Sequence, residues 1–133
     1  MGDYIEQGEK LEKDQAICAG KYRFGINADR RLGLWKNGKL QNTFKKKADE
    51  LMVRTSSNAK RSDLSLKDKS SNTIWKLKCT GLSGKNPNLN FLGINSNSNN
   101  AIVRFRGDKE TLWSVDESGK AEIEDDDCYY AKE

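Results

Sequence analysis

Three short runs of alternating residues recur along the chain. Leu32-Gly33-Leu34, Leu64-Ser65-Leu66 and Val103-Arg104-Phe105 stand 32 and then 39 residues apart. Apolar side chains at every second position mean strands with one wet face. Two of these arms are followed by a matching second arm, Thr73-Ile74-Trp75 and Thr111-Leu112-Trp113. The first copy continues into Gly38-Lys39-Leu40-Gln41-Asn42-Thr43, without a tryptophan. A small antiparallel sheet cannot bury its apolar face alone, but three packed about a common axis can. The repeat therefore predicts an all-β chain with a pseudo-threefold axis. Two architectures suit it: three antiparallel sheets in a triangular prism, or a β-trefoil.

The punctuation agrees. Tyr22, Phe24 and Ile26 alternate with Lys21, Arg23 and Gly25, and end at the turn formers Asn27-Ala28-Asp29. Asn37-Gly38, between Trp35 and Leu40, reads as a two-residue hairpin loop, because both residues tolerate positive φ. Residues 42–52 are the one stretch with any helical character, and they read as a charged loop. At 133 residues the chain is expected to form a single domain over 1–133, ending in an acidic segment at about 119–133.

Composition narrows the chemistry. Leu, Ile, Val and Phe total 26 residues, close to the ~20% level at which disorder becomes a concern. Disorder also calls for a high net charge, and 24 basic against 20 acidic residues leave only +4. A folded, lightly cored domain is expected. No apolar run approaches the ~18 residues of a membrane span. There is no histidine, which removes the commonest general base and metal ligand. Cys18, Cys79 and Cys128 form no C-x-x-C pair, so neither a metal site nor a cofactor is expected. Three reduced thiols are the expectation, and one disulfide plus a free thiol the alternative. With Met1 as a native start the chain would be cytoplasmic; a trimmed leader would make it secreted.

Charge is uneven. Residues 30–85 hold 15 Lys/Arg against 4 Asp/Glu, whereas residues 116–133 hold 8 acidic against 2 basic residues. A basic middle attracts anions, and an acidic tail can mask it.

The order of these pieces resembles the bulb-type, monocot mannose-binding lectins of the β-prism II fold. Tyr4-Ile5 through Gly8-Glu9-Lys10-Leu11 is similar to that family's opening strand and turn. Lys21 to Trp35 is similar to its strand–turn–strand unit, and Ile74 to Thr80 and Leu112-Trp113-Ser114 to its tryptophan arms. The likeness covers residues 3 to about 118. It implies a non-catalytic carbohydrate-binding protein, with glycans or glycoproteins as partners. By analogy it also implies a homodimer through exchange of terminal strands.

The family's sugar motif reads Q-x-D-x-N-x-V-x-Y. Alternate residues share one face of a strand, so amides and a carboxylate can meet neighbouring hydroxyls while an aliphatic and an aromatic group cover the sugar's C–H face. On the first copy the motif falls on Asn27, Asp29, Arg31, Gly33 and Trp35, with only the aspartate identical. Arg31 brings a cation that can pair with Asp29. On the second copy it falls on Ala59, Arg61, Asp63, Ser65 and Lys67, which lack the amides and the aromatic, so mannose binding is expected to be lost there. On the third copy Asn95, Asn97 and Asn99 take the first three positions, followed by Ala101 and Val103. Core alternation instead sends Val103 and Phe105 inward and Arg104 and Arg106 outward. A one-residue slip flips every side chain, so an enlarged turn is needed to reconcile the two.

The expected function is glycan binding through Asn27, Asp29, Arg31, Trp35, Asn95, Asn97 and Asn99. The alternatives are a protein-interaction module with degenerate sugar sites, or anion binding through the basic middle. Nucleic acid ranks last, for want of an aromatic row among the cations. Trp75 and Trp113 are expected to pack together on the axis, and Tyr129 and Tyr130 to dock the acidic tail.

Overall fold

The computed structural model describes residues 2–56, 61–80, 91–96, 101–107 and 110–131. The strands are β1 (Tyr4–Glu6), β2 (Lys10–Glu12), β3 (Gln15–Ala19), β4 (Tyr22–Ile26), β5 (Leu32–Lys36), β6 (Lys39–Thr43) and β7 (Glu50–Ser56). They continue as β8 (Arg61–Lys67), β9 (Thr73–Cys79), β10 (Phe91–Ile94), β11 (Val103–Gly107), β12 (Glu110–Val115), β13 (Ala121–Ile123) and β14 (Cys128–Tyr130). No helix occurs among the described residues.

The strands form three separate antiparallel sheets, as in a prism, rather than the shared barrel of a β-trefoil. The first is β3-β4-β5-β6, the second β14-β9-β8-β7-β2 and the third β1-β10-β11-β12-β13. Each is built on a hairpin predicted by one of the three alternating runs. The internal likeness reaches single residues. Ladder register slips once at Leu34/Trp35, once at Leu66/Lys67 and once at Phe105/Arg106. A bulge at the same place in each copy bends each sheet in the same way.

Inward-facing side chains from all three sheets join one core. Phe24, Leu32, Leu34, Leu51, Val53, Leu64, Leu66, Leu92, Val103 and Phe105 are all buried. Trp75 and Trp113 meet as expected, with ring centroids 5.8 Å apart. The first copy has Asn42 opposite Leu34, where the other copies place Trp75 opposite Leu66 and Trp113 opposite Phe105. Phe44, two residues on, supplies the missing ring: its centroid lies 5.2 Å from Trp75 and 6.4 Å from Trp113.

Two expectations are corrected. Residues 42–52 are not one loop: Asn42 and Thr43 end β6, and Glu50 to Met52 open β7. Leu51 and Val53 do alternate inward, but Met52 between them erases the period-two signal. Nor are the thiols all reduced. Cys79 and Cys128 form a disulfide, and Cys18 is free and exposed. β14 pairs with β9 and sets Cys128 directly opposite Cys79, a long-range pairing that cysteine spacing does not show. The same pairing folds the acidic tail beside the basic second sheet, with Tyr129 opposite Lys78.

Candidate functional site

Strand alternation gives each sheet an outer face, and register makes the three faces comparable. The central row of the first face is Ala16–Gly25–Gly33–Thr43. The second face has Lys10–Met52–Ser65–Lys76, and the third Tyr4–Gly93–Arg104–Ser114. The middle of the adjoining row holds Arg23 and Trp35, Glu50 and Lys67, and Phe91 and Arg106 respectively.

The three faces differ at the floor. On the first, a Cβ at Gly25 would lie 2.1 Å from the Gln15 carbonyl oxygen, and one at Gly33 would lie 2.6 Å from that of Asn42. Neighbouring backbone already fills this floor. On the second, Met52 occupies the position. On the third, a Cβ at Gly93 would meet side chains rather than backbone, the Phe91 ring at 3.2 Å and Tyr4 Cβ at 3.6 Å.

A cleft of about 170 Å³ sits there, lined by Asp3, Tyr4, Phe91, Gly93, Ile94, Asn95, Ile102, Arg104 and Arg106. Tyr4 and Phe91 meet edge to face with centroids 6.0 Å apart. The Arg106 guanidinium stands over the Phe91 ring, 5.8 Å from its centroid. Two aromatic residues, Asp3, Asn95 and two arginines thus line one concavity.

The sequence-predicted residues divide. Asn27, Asp29 and Arg31 do not continue one strand face with Gly33 and Trp35. They belong to the turn from β4 to β5, in which the Asn27 amide donates to the Arg31 carbonyl at 3.0 Å and Arg30 has φ 64°. The Asn27 side-chain oxygen accepts the backbone N–H groups of Asp29 and Arg31, at 3.0 and 2.9 Å. Arg31 donates to the carbonyls of Phe44 and Lys45 instead of reaching for Asp29. Asp29 is exposed and Trp35 half-buried.

The turn is fastened from outside by Arg30. Its guanidinium grips Asp49 through Nε (3.0 Å) and Nη2 (2.6 Å). That hydrogen bond and the attending charge hold the Asp49 carboxyl below the usual range and raise Arg30.

Asn95 occupies in the third copy the place of Asn27. Its amide donates to the carbonyl of Ile102 at 2.9 Å, as Asn27 does to Arg31, so the third turn is longer by three residues. This is the enlarged turn the register conflict required. Val103 is fully buried, and Arg104 and Arg106 face outward. Asn97 and Asn99 lie outside the described residues, as does Ala59. In the second copy Asp63 is buried at 4% exposure, with Lys76 Nζ 3.6 Å from its carboxylate.

Sequence reasoning missed Asp3, Tyr4, Phe91 and Arg104 as neighbours. The ladder from β1 to β10 joins residues almost ninety positions apart, and no local signal reports it. A second hollow, about 300 Å³, is bordered by Phe44, Leu66, Ile74 and Trp75 with Lys45 and Lys46. Its walls offer few partners for a hydroxyl-rich ligand. Among the described residues no cluster of potential ligands could hold a metal ion.

The fold defined by these sheets is the β-prism II fold of bulb-type lectins. A Polygonatum cyrtonema lectin solved with a monomannoside superposes with a TM-score of 0.58 at 20% identity, over 79% of this chain and 89% of its own. Monomeric monocot mannose-binding lectins from Gastrodia elata give 0.59 at 20% identity, over 82% of this chain and 89% of theirs. No family model and no curated protein matches the chain.

Proposed function

We propose that this protein binds carbohydrate without turning it over, and that the third outer face is its principal site. The observation that carries this reading is the cleft lined by Tyr4, Phe91, Asp3 and Asn95 in a chain with the fold of mannose-binding lectins. Sugar rings have an apolar C–H face and a polar rim, and such rings rest against aromatic carbon while amides and carboxylates take the hydroxyls. Tyr4 and Phe91 supply the first, and Asp3 and Asn95 the second. From the sequence, Asn97 and Asn99 extend the same amide set. A cleft of 170 Å³ is below the ~300–1,000 Å³ of drug-sized pockets, so a single ring is the unit held.

The first face is proposed as a weaker accessory site through Asp29, Arg31 and Trp35, with Asn27 retained chiefly as the cap of its turn. Two shallow sites gain strength together when a ligand spans several copies of the sugar. The test is a glycan array probed with the intact protein, followed by amide chemical-shift mapping with the best binders, mannosides included. Shifts at Tyr4, Asn95 and Arg104 are expected. An array at background, with no shifts at millimolar sugar, overturns the proposal.

A further inference from the structure

We propose that the hollow beside Phe44 and Trp75 is a second binding site, separate from the sugar face. Its ligand is a small aromatic carboxylate, whose ring lies among the apolar walls and whose charge meets Lys45.

The walls define the ring. The hollow of about 300 Å³ is bordered by Phe44, Leu66, Ile74 and Trp75, with Lys45 and Lys46 as the remaining lining residues. That volume stands at the lower end of the ~300–1,000 Å³ of small-molecule sites, which suits a compact ligand. Leu66 is fully buried, so the hollow reaches the core, while Phe44, Ile74 and Trp75 are half-buried. Phe44 stands in for the indole that the first copy lacks, and a phenyl ring is smaller than an indole; the hollow opens beside it. The Phe44 and Trp75 rings stand at 85° to each other. A flat ring parallel to one is therefore perpendicular to the other, and offset-stacked and edge-to-face contacts are both favourable.

The walls are also held in place. Trp75 packs against Trp113 and Tyr130 as well, with centroids 5.8 Å away in each case. The Phe44 amide donates to the Leu32 carbonyl at 2.8 Å, and the Ala48 amide to that of Arg30 at 2.7 Å. Between them the Arg31 guanidinium donates to the Lys45 carbonyl at 2.5 Å. The segment carrying Phe44 and Lys45 is thus fastened to the first sheet and its turn, and a site built in advance loses little in ordering on binding.

The rim sets the charge. Lys45 and Lys46 are exposed, Lys47 follows them, and no carboxylate is among the lining residues. A wall of carbon beside an ammonium group fits a ligand with the same division, an apolar ring bearing one negative group.

The experiment titrates the intact protein with 2-naphthoate, its neutral analogue 2-naphthylmethanol, the linear acid octanoate, and acetate as the ion-only probe. The tryptophan indole N–H resonances report binding. Naphthoate is expected to shift the Trp75 resonance and leave that of Trp35 in place, with a Kd tighter than about 1 mM. Naphthylmethanol should bind about two- to fivefold more weakly, the range of an exposed charge pair. Phe44→Leu keeps an apolar side chain without the ring and should weaken naphthoate about two- to tenfold. Lys45→Gln should reduce the preference for the acid over the alcohol. Lys39→Gln, an equal loss of charge at the other end of β6, should leave that preference intact.

No shift at Trp75 with millimolar naphthoate overturns the inference. So does equal binding of acid and alcohol, or a preference unchanged in Lys45→Gln. Octanoate binding as tightly as naphthoate would make the occupant an acyl chain, and acetate doing so would leave the ring without a part; either result overturns the aromatic assignment. Undiminished naphthoate binding by a Phe44→Leu variant with a native amide spectrum does the same. None of these outcomes touches the sugar reading, whose cleft lies on the third sheet.

Discussion

The indole N–H of Trp113 donates to the hydroxyl of Tyr130 across 3.2 Å, joining the largest fully buried side chain of the core to the last described strand. Tyr130 also lies 5.8 Å from Trp75. The C-terminal strand is thereby part of the aromatic packing at the axis rather than an appendage. Tyr130→Phe removes one hydrogen bond and leaves the indole N–H without its acceptor, which is expected to cost about 1 kcal/mol. Trp113→Ala empties the centre and is expected to cost about 3–5 kcal/mol. Urea unfolding followed by tryptophan fluorescence measures both. Equal costs for the two variants would mean the ring contacts add little.

The disulfide acts on the same strand by another route. Cys79 and Cys128 close a loop with a sequence separation of 49. Chain entropy for a loop of that length gives about 4 kcal/mol, as the upper range of what reduction removes. Cys79→Ser with Cys128→Ser is expected to lower the urea midpoint substantially, and to abolish the effect of reductant. Cys18→Ser should change neither, because that thiol is exposed and outside the bridge.

Two glycines at equivalent places invite opposite outcomes. Gly25→Ala would force a methyl group into the Gln15 carbonyl and the Ala16 backbone, where the contacts are 2.1 and 2.5 Å. The strand must move, and a loss of ~3 kcal/mol is expected. Gly93→Ala meets side chains instead of backbone, the Phe91 ring at 3.2 Å and Tyr4 Cβ at 3.6 Å, and a small shift of that ring should keep it within about 1 kcal/mol of wild type. The added methyl stands on the cleft floor, so sugar affinity should fall while stability holds. Thermal unfolding and titration of the same samples separate the two quantities.

What the sequence showed of this molecule was its local pattern. The alternation at Leu32/Leu34, Leu64/Leu66 and Val103/Phe105 and the Asn37-Gly38 turn were enough for three sheets, and the structure has φ 54° and 78° at that turn. Strand β7 escaped because Leu51-Met52-Val53 is apolar without interruption. The full lining of the third face escaped for a different reason. The motif was laid along one continuous strand, whereas the chain turns sharply between Asn27 and Arg31, and the equivalent pair in the third copy, Asn95 and Ile102, stands three residues further apart in sequence. The cleft itself depends on β1 lying beside β10, a partnership set by the closure of the whole prism.

Acid should loosen the junction between the first two sheets. Asp49 has its carboxyl lowered, first by the hydrogen bond from Arg30 and further by nearby positive charge. A carboxyl lowered in the folded state binds protons more readily when unfolded. Its contribution is therefore fully present above the ordinary carboxylate value of about 4, and is lost as pH falls through the folded value. Stability measured from pH 6 down to pH 2 should fall less steeply in Asp49→Asn than in wild type. Parallel curves would remove Asp49 from the acid transition.

Asn27 separates a structural role from a ligand role. Its side-chain oxygen accepts two backbone amides, from Asp29 and Arg31. Asn27→Asp keeps that acceptor and should leave stability within about 0.5 kcal/mol, while Asn27→Ala leaves both amides unpaired and should cost about 1–2 kcal/mol. If the residue mainly shapes the turn, sugar titrations of Asn27→Asp will match wild type. A loss of affinity in Asn27→Asp at unchanged stability would instead make Asn27 a direct sugar ligand and raise the first face to equal standing with the third.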